Sequence, residues 1–257
     1  MRNALRDFFR RRRVERHIAR CGEVFEYHGL SVSVPREAGL SAMNALLRGK
    51  YEREEAELIS RHLPPDLPVV ELGGSLGVVS RLIRSRLSAG TQHLIVEANA
   101  DLVPICRANA GEGQGASRVV HAALYHDGPV ARFRVGADVH ASALDASGGA
   151  GGVREVPAVT LAALLKELGE PEAFVLVSDI EGAEYALFDR EADALRRAQL
   201  AIIEIHPKVF EANGHGEADF IALAARAGLI PIERRADVVV LGRRGQSSAS
   251  SGAASIR

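Results

Sequence analysis

Three short stretches carry residue types whose spacing could do chemistry. "VVELGGSLGVVS", Val69 to Ser80, sets Glu71 two positions before Gly73 and Gly74, with Ser75 and Gly77 following. Glycines at a strand-to-helix bend permit positive φ and close backbone approach, and the helix start beyond them attracts negative charge. A phosphate-binding P-loop needs a Lys-Ser or Lys-Thr pair after its last glycine, and Val78-Val79 stand there, which excludes it. A dinucleotide fingerprint reads G-x-G-x-x-G, whereas this turn reads G-G-x-x-G. Glu71 beside it would repel a pyrophosphate but suits a cationic amino group. About twenty residues on, "HLIVEAN" ends a second strand in Glu97, placed to accept both hydroxyls of a ribose. S-adenosylmethionine (SAM) carries an amino group, a sulfonium and a ribose without phosphate, so the residues favour it. A glycine turn that serves packing alone is the competing reading.

The second stretch, "VSDIEGAEYALF", holds Asp179, Glu181 and Glu184. Asp179 stands at the carboxyl end of an apolar run, where sheets of parallel strands bind ligands. Glu184 reads as a helix-start residue favoured by the helix dipole, which leaves Asp179 and Glu181 for substrate or cofactor. In the third stretch, "IIEIHP", Glu204 and His206 share one strand face. If the two strands are neighbours, about 5 Å apart, His206 comes near Asp179. A histidine of ordinary pKa, about 6.5, would then serve as general base for a hydroxyl. Two alternatives stay open: a divalent metal shared with Asp179, or a strand-end histidine beside Pro207. No metal ligand is assigned.

These residues need a sheet to position them, and the chain supplies one. Its 257 residues are 47% hydrophobic and 25% charged with a net charge of -1, ordinary for a globular protein and no nucleic-acid binder by charge. Cys21 and Cys106 lie far apart without metal-type spacing, which fits a reducing cytosol. No apolar run reaches about 18 residues and no secretory core opens the chain, so a cytoplasmic protein is expected. Strands are expected at Val69–Leu72, His93–Glu97, Arg118–Ala122, Phe174–Asp179, Leu200–His206, Leu229–Ile232 and Val238–Leu241. Helices are expected at Leu76–Arg86, Leu102–Asn109, Thr160–Leu168, Glu184–Arg197 and Glu217–Ala227. Such alternation predicts an α/β fold with a mostly parallel sheet covered on both faces.

Ahead of this domain, residues 1–48 read as a basic helix and a hairpin turning at His28-Gly29. The arginine-rich helix either docks its phenylalanines, Phe8 and Phe9, on the domain or touches an acidic membrane surface or partner. The domain itself is expected over residues 49–244, opening with a helix in "YEREEAELISRHL" that Pro64 and Pro65 end. "ASGGAGG", Ala146 to Gly152, reads as a flexible loop, and residues 245–257 as a disordered tail.

Read together, the motifs resemble the FkbM family of SAM-dependent methyltransferases. "ELGGSLGVVS", "IVEAN", "AALYHDG", "VPAVTLAALL", "DIEGAEYALF" and "EIHP" follow the family's order between Gly49 and Pro207. The resemblance implies a class I methyltransferase (Rossmann-like) fold, seven strands with the last antiparallel, and O-methylation of a sugar, polyketide or other small-molecule hydroxyl. By position, Glu71, Gly73, Ser75 and Gly77, with Gly74 in the same turn, would line the methionine end of SAM. Glu97 would hold the ribose with Asn99 beside it, and Ala122–Ala123 would border the adenine. Asp179, Glu181 and His206 would face the acceptor as catalytic residues. Glu71 and Ser75 stand where the family has Asp and Asn, Val177 where a lysine is common, and Ala162 where T-L-D has its aspartate. The last two departures bear on the acceptor class. Competing functions are a SAM-fold protein that binds a partner without catalysis, and a surface-binding module built on the N-terminal arginines.

Overall fold

Helix α1 (Arg2–Cys21) leads into the hairpin of β1 (Val24–Tyr27) and β2 (Leu30–Ser33), which turns at His28-Gly29 as expected. The computed structural model describes residues 2–111, 113, 116–134, 143–144 and 153–243. The glycine-rich loop at 146–152 and the tail at 245–257 lie outside them. Helix α1 docks, but not through its phenylalanines. Val14 is buried and Ile18, one turn on, packs with it, whereas Phe8 and Phe9 are each 54% exposed. A pair four residues apart presents one stripe to the domain, and the two rings fall outside it. His17 stacks on Phe25 at 4.5 Å, and Arg13 donates to Asn44 Oδ1 at 2.9 Å. No described helix is long and apolar enough to cross a membrane.

Helices α2 (Leu40–Leu46) and α3 (Arg53–His62) precede the alternating core. There β3 (Val69–Leu72), α4 (Val78–Arg86), β4 (His93–Glu97), α5 (Val103–Ala110) and β5 (Ser117–His121) run in order. Strands β6 (Ala123–Leu124), β7 (Val130–Arg134), β8 (Ala143–Leu144) and β9 (Val153–Val159) form a side sheet that the sequence did not suggest. The core resumes with α6 (Leu161–Glu167), β10 (Phe174–Ser178), α7 (Glu184–Arg190), α8 (Ala192–Leu195) and β11 (Ala198–Glu204). It closes with α9 (Pro207–Ala212), α10 (Glu217–Arg226), β12 (Leu229–Arg235) and β13 (Val238–Arg243).

The main sheet has seven strands in the order β12-β13-β11-β10-β3-β4-β5, with β13 antiparallel to both neighbours and the other pairings parallel. This is the class I methyltransferase (Rossmann-like) fold. Strand residues alternate between two cores. Val70, Leu72, Phe174 and Leu176 join α6, α7 and α10 on one face, while Val69, Val175, Val177 and Ile202 meet α1, the hairpin, α3 and α4 on the other. The expected single helix Glu184–Arg197 is broken into α7 and α8 at Glu191. Its buried carboxylate accepts from the backbone N–H groups of Leu161 and Ala162, each at 2.8 Å, and so caps α6.

Candidate active site

The chain leaves β3 toward β4 and β5 on one side, then returns to β10 and β11 on the other. Ligands bind at such a switch point, outside the carboxyl ends of the strands. A pocket opens there. The turn after β3 (Gly73, Gly74, Ser75), the end of β4 (Glu97) and the loop after β10 (Asp179, Glu181) line it.

Each glycine of the turn is required by protein packing. Gly73 has φ +91, and a Cβ on it would sit 1.9 Å from the Asp179 carbonyl oxygen. On Gly74 it would meet Ile95 at 2.5 Å and Cys106 at 2.8 Å. The turn lets β3, β10 and α5 close on one another, and Gly73 and Gly74 also line the pocket. Gly77 caps α4 against Cys106 and is not among the lining residues.

Glu97 is buried at the pocket wall. Its Oε1 accepts from the Asn99 N–H and its Oε2 from the Ser75 N–H, both at 2.6 Å. Burial raises its pKa, and these amides offset part of that rise. Asn99 therefore acts through its backbone, and its own side chain accepts from the Asp101 N–H. Ala122, Ala123, Leu124, Val96 and Leu102 give the pocket an apolar side. Glu71 also lines it, but both its oxygens are engaged. Ser80 Oγ donates to one at 2.7 Å, and His93 Nε2 lies 2.7 Å from the other.

Sequence reasoning missed Tyr51, Glu52 and Glu55, which enter the pocket from the start of α3. Burial pushes Glu55 well above the usual carboxylate range, with Asp179 adding to the rise. A signal was present, because Glu55 lies three and four residues before Leu58 and Ile59 on the buried stripe of α3. Six carboxylates (Glu52, Glu55, Glu71, Glu97, Asp179, Glu181) line the pocket, and no Lys, Arg or His does among the described residues.

At one edge of this pocket β10 and β11 are parallel neighbours, as the sequence reading required. Strand β11 ends at Glu204, and His206 lies beyond it as the N-cap of α9, with Pro207 at the first helical position. His206 Nε2 stands 3.5 Å from both Asp179 Oδ1 and Glu181 Oε2, and its Nδ1 stands 3.5 Å from Glu184 Oε2. Glu184 is fully buried at the start of α7 and accepts from the Ile180 N–H at 2.7 Å. Glu181 holds φ +54, a strained conformation for a non-glycine residue and one that recurs at functional sites.

Burial lifts Asp179 well above the carboxylate range, with Glu204 and Glu184 adding and His206 opposing. Burial alone would lower His206, but Glu184, Asp179 and Glu181 outweigh it and push its pKa up to about 9. That direction is the opposite of what burial alone would give, and it departs from the ordinary imidazole value, about 6.5, assumed from the sequence.

A family model described as the methyltransferase FkbM domain matches residues 73–226. Among solved structures, the chain is similar to the ribosomal protein L11 methylase of Lactobacillus delbrueckii subsp. bulgaricus. Identity is 12%, with 73% of this chain and 74% of that chain covered at a TM-score of 0.40. It is also similar to a protein in the NADB-Rossmann superfamily from Streptococcus agalactiae, at 8% identity, 75% and 70% coverage and a TM-score of 0.45. A search of curated proteins gave no match.

Proposed function

This chain belongs to the FkbM methyltransferase domain family, and on that premise we propose that it is a SAM-dependent O-methyltransferase acting on a hydroxyl of a sugar, glycan or other small molecule. The observation that carries the cofactor half of the reading is the pocket's lining: six acidic side chains and no basic one among its described lining residues. Such a wall repels phosphate-bearing cofactors and favours a ligand with two cationic groups.

When bound, SAM supplies an electrophilic methyl carbon. Glu97, with each oxygen already holding one amide N–H, keeps lone pairs free for the ribose hydroxyls. The apolar side at Ala122–Ala123 suits an adenine ring. The acceptor hydroxyl belongs beside Asp179, Glu181 and His206. As the oxygen–methyl bond replaced the methyl–sulfur bond and a neutral thioether left, Asp179 or Glu181 would take the hydroxyl proton. The transfer is an in-line displacement, so the chain's work is to align the hydroxyl and accept this proton.

Titration of SAM by calorimetry tests the cofactor half. Glu97→Ala should weaken binding by about 1.5–3 kcal/mol, the loss of hydrogen bonds to a charged group. Unchanged affinity in a folded variant would sink the ribose assignment. Methyl-labelled SAM offered with glycans and with small hydroxylated molecules tests the acceptor half, and label transferred only to nitrogen or carbon would refute O-methylation.

A further inference from the structure

We propose that Asp179, Glu181 and His206 bind one divalent transition-metal cation, Mn2+ or Zn2+, at the pocket wall. The binding is independent of the methyl-transfer reading, and only the cation's role rests on it.

The first observation is the spacing. His206 Nε2 lies 3.5 Å from an oxygen of each carboxylate, and all three donor atoms fall within 4.8 Å of one another. A charge-assisted N–H···O bond would close to about 2.7–2.9 Å. Donors sharing an ion through bonds of about 2.0–2.2 Å in tetrahedral geometry stand roughly 3.3–3.6 Å apart. The two separations from His206 Nε2 match a coordination shell and exceed a charge-assisted bond.

The second observation lies behind the histidine. Glu184 is fully buried, spends Oε1 on the Ile180 N–H, and leaves Oε2 without a hydrogen-bond partner, 3.5 Å from His206 Nδ1. A metal-ligating imidazole gives its Nδ1–H to such a carboxylate, and Glu184 stands where a small turn of the ring on metal binding would close that bond and leave the Nε2 lone pair outward. Asp179 Oδ1, on the other side of the ring, is also buried without a hydrogen-bond partner. One imidazole and three carboxylates in contact with it leave an excess of negative charge that a divalent ion would neutralise. An imidazole nitrogen in the set favours a transition ion over Mg2+ or Ca2+, which take oxygen shells.

Three protein ligands leave coordination positions open on the pocket side, where Asp179 and Glu181 form the wall. An acceptor hydroxyl lying against the cation would release its proton more readily.

The test uses the full chain, stripped with chelator and dialysed, then titrated with MnCl2 by electron paramagnetic resonance and with ZnCl2 by calorimetry. One saturable site per chain is expected, weakened at least about tenfold in Asp179→Asn and in His206→Gln. Absence of saturable binding of either ion overturns the proposal, as does native affinity in both folded variants. If those variants fail to fold, Glu181→Gln at the half-exposed ligand serves in their place under the same criterion. SAM titrated into the same metal-free protein separates the two readings. SAM binding without a metal site would remove only the cation, and a metal site without SAM binding would remove only the cofactor.

Discussion

Glu71 and His93 meet in the sheet interior with Oε2 and Nε2 2.7 Å apart, both side chains essentially buried. The register sets this pair, because β3 and β4 are parallel and Val69 lies opposite His93, two residues from Glu71 on the same face. Ser80 from α4 takes the other oxygen of Glu71. The carboxylate therefore ties two strands and a helix beneath the pocket. His93→Ala leaves half of it unanswered inside the core. That should cost about 1.5–3 kcal/mol of stability in urea denaturation, the range for a hydrogen bond to a charged group. A loss under roughly 0.5 kcal/mol would mean that the pair contributes nothing.

Gly73 gives a second prediction. Its φ of +91 and the 1.9 Å approach to the Asp179 carbonyl leave no room for a methyl group. Gly73→Ala should destabilise the fold by about 2 kcal/mol or more, since a strained backbone position alone costs about 1–3 kcal/mol. Gly128, where a Cβ would meet nothing within 4 Å, is the control, and Gly128→Ala should stay within about 0.5 kcal/mol. Equal melting of the two variants would refute the packing role of the turn.

What was legible in the sequence follows from the same packing. VVEL, HLIVE and FVLVS are largely apolar and buried at every residue because both faces of their strands are covered, as in a parallel α/β sheet. The meeting of Asp179 with His206 followed once β10 and β11 were taken as neighbours. The His93 partner of Glu71 was not legible, because it depends on register and a histidine opening a strand carries no sign of what it faces. Glu55 was passed over for another reason: in "REEAELISRH" it stands among charges that face solvent, and only its offset to Leu58 and Ile59 marks it as inward. The side sheet escaped because two of its strands, β6 and β8, are two residues long and carry no period.

The acceptor cluster gives a prediction about rate. Asp179→Asn and His206→Ala should each lower methyl transfer by about 10²-fold or more, the first as a lost proton acceptor and the second as the loss of the group that faces it at 3.5 Å. SAM affinity should stay within about threefold, under roughly 0.7 kcal/mol, because the ribose and adenine contacts proposed above lie at the ends of β4 and β5. Rates are read with methyl-labelled SAM and affinities by calorimetry on the same preparations. Full activity in both variants would put the acceptor chemistry elsewhere in the pocket.

Glu55 ties stability to pH in a direction that can be worked out. Burial, then Asp179, Glu52, Glu71 and Glu204, hold its folded pKa well above the ordinary value. Below the unfolded value, about 4.3, both states carry the proton and Glu55→Gln should change little. Above it the unfolded chain releases the proton first, so the native state loses stability as pH rises toward the folded pKa. Glutamine has no proton to lose and escapes that penalty. The variant should therefore melt higher than the native chain at pH 7–8, by at least about 2 °C, the shift that roughly 1 kcal/mol produces in a domain of this size. The gap should shrink toward pH 4. Melting curves without SAM across pH 4–8 check it, and a gap that is constant with pH, or a native chain that melts higher at pH 8, would show that Glu55 is held ionised by a partner that glutamine cannot replace.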